Sequence, residues 1–279
     1  ARMNLAIRGI SCDIRLGDTF HNDQHPNLKA DYIMANPPFN QKDWRTENEL
    51  VHDPRWMGYE VPPTSNANYA WILNILSKLS TNGKAGFILS NGALSADGTE
   101  LAIRKKLLEQ GKVEAILILP RKLFYSTDIS VTLWVMNNNK KAHTANKNGV
   151  EIHYRDREKE VLFLDLRQMG EPYEKKFVQF STENIDKISK TYHDWQQVGY
   201  EDHYADVPEY CYSAKLDEIA DKGFSLVPSK YIAFVNRDEN IDYDAQMKSL
   251  AANLHELAEE RKTLDKQLQE IFKNLGYSL

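Results

Sequence analysis

The sequence predicts an α/β fold, with a parallel or mostly parallel sheet followed by one long C-terminal helix. Three observations carry this. Continuous apolar runs at 31–35, 84–90, 113–119 and 129–136 alternate with helical patterns at 66–79 and 98–110. Strands buried on both faces read as unbroken apolar runs, and parallel strands need crossover helices between them. Near the C-terminal end, Tyr243, Leu250, Leu257, Leu264 and Ile271 recur every seven residues. Finally, 279 residues with 42% hydrophobic and 27% charged side chains allow one large domain or two small ones around a real core. That composition excludes chain-wide disorder.

The elements follow in order. ARMNLAI at 1–7 reads as the last turns of a helix, with Gly9 as its C-terminal cap. The first residue is Ala1 rather than Met and falls inside this amphipathic stretch, so further sequence is expected upstream. Residues 14–16 are a short strand candidate before the turn Gly17-Asp18-Thr19. The run 31–35 (DYIMA) stops abruptly at Asn36-Pro37-Pro38, and a polar loop with Trp44, Trp56, Pro62 and Pro63 covers 40–66. The helix over 66–79 takes Ser65 or Asn66 as cap and sets Trp71, Ile72, Ile75, Leu76 and Leu79 on one face. Gly111 closes the helix 98–110, and Pro120 stops the strand 113–119. Residues 137–149 (NNNKKAHTANKNG) are polar and read as a loop, 161–166 as an added strand, and 182–192 as a helix. The rest of 170–238 reads as loops and short pieces.

The C-terminal pattern has a second row, Met247, Leu254, Arg261, Leu268 and Leu275, which completes an a/d seam with one charged break at Arg261. A helix over 243–275 would be about 50 Å long at roughly 1.5 Å per residue. Such a seam needs a partner helix; the alternative is a surface helix folded back on its own domain. Net charge is -5, whereas a small autonomous DNA-binding module is usually basic. Contact with nucleic acid would therefore use a local patch, with Lys122 as the phosphate-contact candidate, or a partner. Cys12 and Cys211 are too few for a disulfide framework, and they, like the eight histidines, show no metal-ligand spacing. An intracellular, cytoplasmic setting is expected. No run approaches the roughly 20 apolar residues of a membrane helix, so no membrane role is expected.

Asn36-Pro37-Pro38-Phe39 directly follows a strand. That is the carboxyl end of a sheet strand, where open α/β folds bind ligands. An exocyclic amine on a nucleobase is a poor nucleophile because its lone pair is delocalised into the ring. Two acceptors aimed at its N–H groups favour a tetrahedral nitrogen and free that pair. An Asn side-chain oxygen and the next backbone carbonyl can be those acceptors, and two prolines fix where the carbonyl points. The aromatic at the fourth position can stack on an extruded base. Taken alone, the four residues fit equally well a Pro-Pro turn with Phe39 in the core.

In context, the sequence resembles the modification subunit of type I restriction-modification systems, an N6-adenine DNA methyltransferase, and specifically a C-terminal portion of it. The match is carried in order by ARMNLAIRGI, LGDTF, DYIMANPPFNQKDW, DPRWMGYEVPPTSNANYAWILNILSKL, GKAGFILSNGALS, IRKKLLEQGKVEAILILPRKLFYSTDIS and VLFLDLR. The resemblance implies that Asn36 and the Pro37 carbonyl hold the adenine amino group, Pro38 shapes the turn and Phe39 stacks on the base. It places Asp18 at the position facing the cofactor adenine, although Asp is equally at home in a turn without a ligand. Phe124 or Tyr125 would be a second aromatic wall, or core. Asn91 would line the pocket or cap a turn.

The departures also count. The glycine-rich loop that holds S-adenosyl-L-methionine (AdoMet) in the family, of the form DPACGSGG, has no counterpart here, nor has the acidic residue for the cofactor ribose. Where the family usually reads Leu-Pro, this chain has Leu89-Ser90. The implied fold is thus an incomplete Rossmann-like AdoMet-dependent methyltransferase sheet plus the heptad helix. The expected divisions are 1–168, a partial catalytic domain; 169–238, an irregular connector; and 239–279, a coiled-coil helix for docking. The implied partners are a specificity subunit through 243–275, a restriction subunit and duplex DNA. Two other readings remain: a piece that only docks partners, or an enzyme for another amine, such as RNA guanine or protein glutamine.

Overall fold

The computed structural model describes residues 1–125, 128–147, 149–174, 176–235 and 243–274. It divides into two units, Ala1–Ala233 and Phe234–Leu279. The first unit begins with α1 (Arg2–Ile7), and α3 (Thr99–Glu109) lies further along. Both end as the sequence predicts. Gly9 and Gly111 take φ of +66° and +64° just past the helices. The N–H groups of Gly9 and Ile10 return to the carbonyls of Ala6 and Leu5, and those of Gly111 and Lys112 to Leu108 and Leu107. This paired pattern satisfies the last carbonyls of each helix.

Between and after these helices lie β1 (Ala30–Ala35), α2 (Asn68–Ser77), β2 (Leu79–Ser90), β3 (Val113–Ile118), β4 (Val131–Asn137) and β7 (Glu160–Asp165). They build a six-stranded sheet in the order β1-β2-β4-β3-β7-β10, with β10 at Cys211–Lys215. The expectation of a mostly parallel sheet is corrected. Only β1–β2 and β3–β7 are parallel; β4 runs antiparallel to both neighbours and β10 antiparallel to β7. Among the described residues no helix joins β3 to β4, and a parallel pair needs such a crossover. Their apolar runs report burial on both faces, not direction.

Alternate residues feed two cores. On one face Phe87, Ile116, Trp134 and Phe163 pack with Ile72 and Leu73 of α2 and Ile103 and Leu107 of α3. On the other, Leu117, Leu162 and Leu164 pack with Trp195 of α4 (Thr182–Gln196). α4 starts where the sequence predicts and carries a capping box of Ser181 and Asn184.

Other expectations shift. Residues 14–16 form no strand, and Leu16 is 99% exposed; the segment has no neighbouring strand to satisfy its backbone. α2 starts two residues late, with Asn66 Oδ1 accepting the Asn68 N–H at 2.9 Å. The polar stretch 137–149 contributes to a hairpin of β5 (His143–Lys147) and β6 (Val150–Tyr154). An antiparallel ribbon bonds itself and needs no apolar face to be drawn. Residues 169–233, which the sequence leaves as short pieces around one helix, supply β8 (Glu171–Tyr173), β9 (Phe177–Gln179), α4, β10 and α5 (Leu216–Asp221) to the same unit.

Among its described residues the second unit has one helix, α6 (Tyr243–Asn274). Its side chains at Met247, Leu250, Leu254, Leu257, Leu264, Leu268 and Ile271 are all exposed. Leu275 of the seam lies outside the described residues. Among the described residues no helix is long and apolar enough to cross a membrane.

Candidate active site

β1 delivers the chain to Asn36, where the strand ends, with Asn36 exposed and Pro37 buried, and a turn follows at 39–40. Asn36, Pro37, Pro38, Phe39, Ile88, Phe124 and Val131 line a cleft of about 320 Å³. The cleft stands at the carboxyl ends of the parallel pair β1 and β2 and at the start of β4. Asn36, Pro37, Pro38 and Phe39 are thus brought together with one of the two aromatic candidates. Phe39 and Phe124 line the cleft together with Ile88 and Val131. A cleft lined by an amide residue, two prolines and two aromatic rings has the chemistry to take a flat ring that bears an amine.

The other candidates lie elsewhere. Tyr125 is 71% exposed and meets the edge of Phe177 on β9, with ring centroids 4.6 Å apart. The Lys122 carbonyl accepts the Val178 N–H at 3.0 Å, so β9 braces the loop that carries Phe124. Asn91 opens a short 3-10 turn, and its Oδ1 accepts the Thr132 hydroxyl at 2.6 Å. Asp18 is engaged by its own turn: its Oδ1 accepts the N–H groups of Phe20 at 2.8 Å and His21 at 3.0 Å. The His21 N–H bond is the main reason its carboxyl sits below the ordinary value, against a smaller opposing effect of burial. Arg55 donates to the Thr19 and Phe20 carbonyls at 2.6 and 2.5 Å and so pins this turn to the 3-10 helix Pro54–Trp56. None of Tyr125, Asn91 and Asp18 lines the cleft. Among the described residues no group of three or more His, Cys, Asp or Glu is placed to hold a metal ion.

Sequence reasoning missed Ile88 and Val131, which carry no chemical signature. It also missed the polar cluster beneath the turn. Asn40, with φ of +51°, donates its N–H to Asn68 Oδ1 at 3.0 Å. Its own Oδ1 accepts from Asn68 Nδ2 at 2.9 Å, Ser90 Oγ at 3.0 Å and Asn66 Nδ2 at 3.3 Å. Only the departure at Leu89-Ser90 pointed toward this cluster.

A family profile described as N-6 DNA Methylase matches residues 1–240. The chain belongs to the N-6 DNA methylase family. It is 37% identical over 281 residues to the type I restriction enzyme HindI methylase subunit of Haemophilus influenzae, covering 99% of this chain and 59% of that protein. It is 34% identical over 280 residues to the MjaIX methylase subunit of Methanocaldococcus jannaschii, covering 99% of this chain and 48% of that one. The chain therefore spans about half the length of these relatives. Its fold matches a type I restriction-modification methyltransferase subunit from Streptococcus thermophilus with a TM-score of 0.67 at 24% identity, over 84% of this chain and 45% of that one. It also matches the EcoKI M protein with a TM-score of 0.60 at 19% identity, over 96% and 60%.

Asp18, the one residue assigned to AdoMet, bonds its own turn and stands outside the cleft.

Proposed function

We propose that this chain carries the target-base pocket of a type I DNA adenine-N6 methyltransferase. AdoMet supplies the methyl group. The adenine is flipped from duplex DNA, at a cost of a few kcal/mol, into the cleft between Phe39 and Phe124. Asn36 and the Pro37 carbonyl accept its amino hydrogens and turn the nitrogen lone pair outward. The chain contributes positioning and hydrogen bonds rather than a base. A specificity subunit, docked on 243–275, would choose the DNA site, and a restriction subunit would join the same assembly. The observation that carries this reading is the placement of Asn36-Pro37-Pro38-Phe39 and Phe124 around one cleft at the carboxyl end of β1.

Asn36→Ala in the assembled methylase should abolish adenine methylation while DNA binding survives; retained turnover overturns the assignment. The engagement of Asp18 in its own turn favours a second reading, in which this stretch by itself is an assembly module. Calorimetric titration of AdoMet into the 279-residue chain separates the two. Clear micromolar binding would dismiss the second.

A further inference from the structure

The turn that presents Asn36 is held by a device outside the four-residue motif. We propose that Asn40, Asn68 and Ser90 are positioning residues that fix the Pro37 carbonyl and Phe39 for the reaction, an inference that rests on the methyltransferase reading above.

The geometry is specific. Asn40 follows Phe39 directly and lies in the left-handed region, at φ of +51°. Asn tolerates that conformation better than most residues. It exchanges two hydrogen bonds with Asn68, main-chain N–H to Oδ1 at 3.0 Å and Nδ2 to Oδ1 at 2.9 Å. The exchange fixes the orientation of the Asn68 amide, because only its oxygen can take a main-chain N–H. Asn68 is 1% exposed and is the first residue of α2. The Ser90 hydroxyl, at the last residue of β2, donates to the same Asn40 oxygen at 3.0 Å. One side-chain oxygen thereby ties the loop after β1 to the start of α2 and the end of β2.

Helix capping does not account for the cluster, since Asn66 Oδ1 already accepts the Asn68 N–H. The Asn68 side chain is spent on the loop instead. Ordinary loop closure would not need three donors on one acceptor, whereas a satisfied polar network rigidifies what it touches. Pro37 and Pro38 transmit that rigidity back toward Asn36, because their φ angles are fixed.

The test uses Asn40→Gly, Asn40→Asp and Ser90→Ala in the assembled methylase, with steady-state methylation of cognate duplex and hydrogen exchange of the segment 33–41. Gly keeps the positive φ and the N–H but removes the acceptor; Asp restores the acceptor. Asn40→Gly should lower kcat about 10- to 100-fold with KM for DNA unchanged, since sub-ångström misplacement acts on the chemical step. Asn40→Asp should recover most of that loss. Ser90→Ala should lower kcat about three- to tenfold, the worth of one hydrogen bond. Exchange across 33–41 should quicken in Asn40→Gly and in Ser90→Ala. An unchanged kcat in Asn40→Gly, a change in KM alone, or failure of Asp to rescue overturns the proposal. Should Asn40→Gly not fold, Ser90→Ala decides by both readouts. If the wild-type assembly methylates no adenine, the functional reading fails, and exchange still decides whether the clamp holds the turn.

Discussion

Arg157 and Glu114 form an ion pair with no solvent access on either side, Nε to Oε1 at 3.2 Å. Gln196 donates to the same carboxylate at 2.8 Å, Asn137 at 2.7 Å and Tyr192 at 3.0 Å. Burial pushes the Glu114 carboxyl up, but Arg157, Lys84 and Lys140 outweigh it and hold the group below its ordinary value. The carboxylate thus joins β3, the end of β4, the segment before β7 and α4. It fastens the helix of the 169–233 region to the strands that support the cleft.

Removing one partner leaves the other charge buried and unpaired. Glu114→Gln should therefore cost about 3–5 kcal/mol in urea unfolding. Glu114→Leu combined with Arg157→Met should cost less than the sum of the two single changes, because desolvation of both charges is relieved together. Among the described residues Arg157 Nη2 has no hydrogen-bond partner, and the guanidinium packs over the Tyr154 and Trp195 rings. Additive single effects in a double-mutant cycle would contradict this coupling.

Lys140, in the same cluster, donates to the Val113 and Glu160 carbonyls at 2.7 and 2.5 Å. Burial is the main force lowering its pKa to about 7, with Glu114 opposing and Arg157 adding. An ordinary lysine titrates near 10.4. Between pH about 7 and about 10 the unfolded chain keeps a proton that the folded chain has released, so this group makes stability rise with pH. Below about 7 both states are charged and the contribution is flat. Unfolding free energies of wild type minus Lys140→Met, followed across that window, should move in favour of wild type as pH rises. A flat difference would place the Lys140 titration elsewhere.

How far the sequence reached depends on what kind of contact made each element. The cores of β2 to β4, α2 and α3 were legible because Phe87, Ile116, Trp134, Ile72 and Leu107 are buried and leave apolar runs at readable spacing, whereas β1 is a sheet edge with Tyr32 and Met34 exposed. Strand direction was not legible, because burial on both faces makes the same run either way. β10 was missed because CYSAK is short and mixed, with Ser213 and Lys215 among its five residues. The motif Asn36 to Phe39 was plain, and so was Phe124 as one of two neighbours. Choosing between Phe124 and Tyr125 needed tertiary structure, since Phe177, which takes Tyr125, lies 52 residues further on, counting from 125 to 177. The Asn40–Asn68–Ser90 cluster joins positions 28 and 50 residues apart and leaves no local pattern.

That choice is itself testable on the proposed function. Phe124 lines the cleft and Tyr125 does not. Base-aromatic stacking is worth about 1–3 kcal/mol. Phe124→Ala should then weaken flipping of 2-aminopurine at the target position by about tenfold or more, read as lost fluorescence enhancement. Tyr125→Ala should leave the signal near wild type. Equal losses at both would mean that the loop, rather than the ring, is what matters.

The exposed apolar row of α6 yields the last prediction. Met247, Leu254 and Leu257 are 65%, 70% and 61% exposed, along one apolar stripe of the helix. If the specificity subunit packs a helix against this seam, a charge within it should block assembly without melting the helix. Leu257→Glu meets both conditions, because Glu is a strong helix former. Gel filtration with the specificity subunit should show the complex lost, while Lys266→Ala, off the seam, keeps it. Arg261 is the one charged residue in the row and faces Asp265 of its own helix at 3.7 Å. Polar residues at such positions fix register at a cost in stability. Arg261→Leu should therefore tighten the complex while allowing mispaired or self-associated helices, seen as extra species on the same column. Tighter docking with a single species would mean that Arg261 does not set register. Unchanged docking in Leu257→Glu would mean that the partner binds elsewhere on the chain.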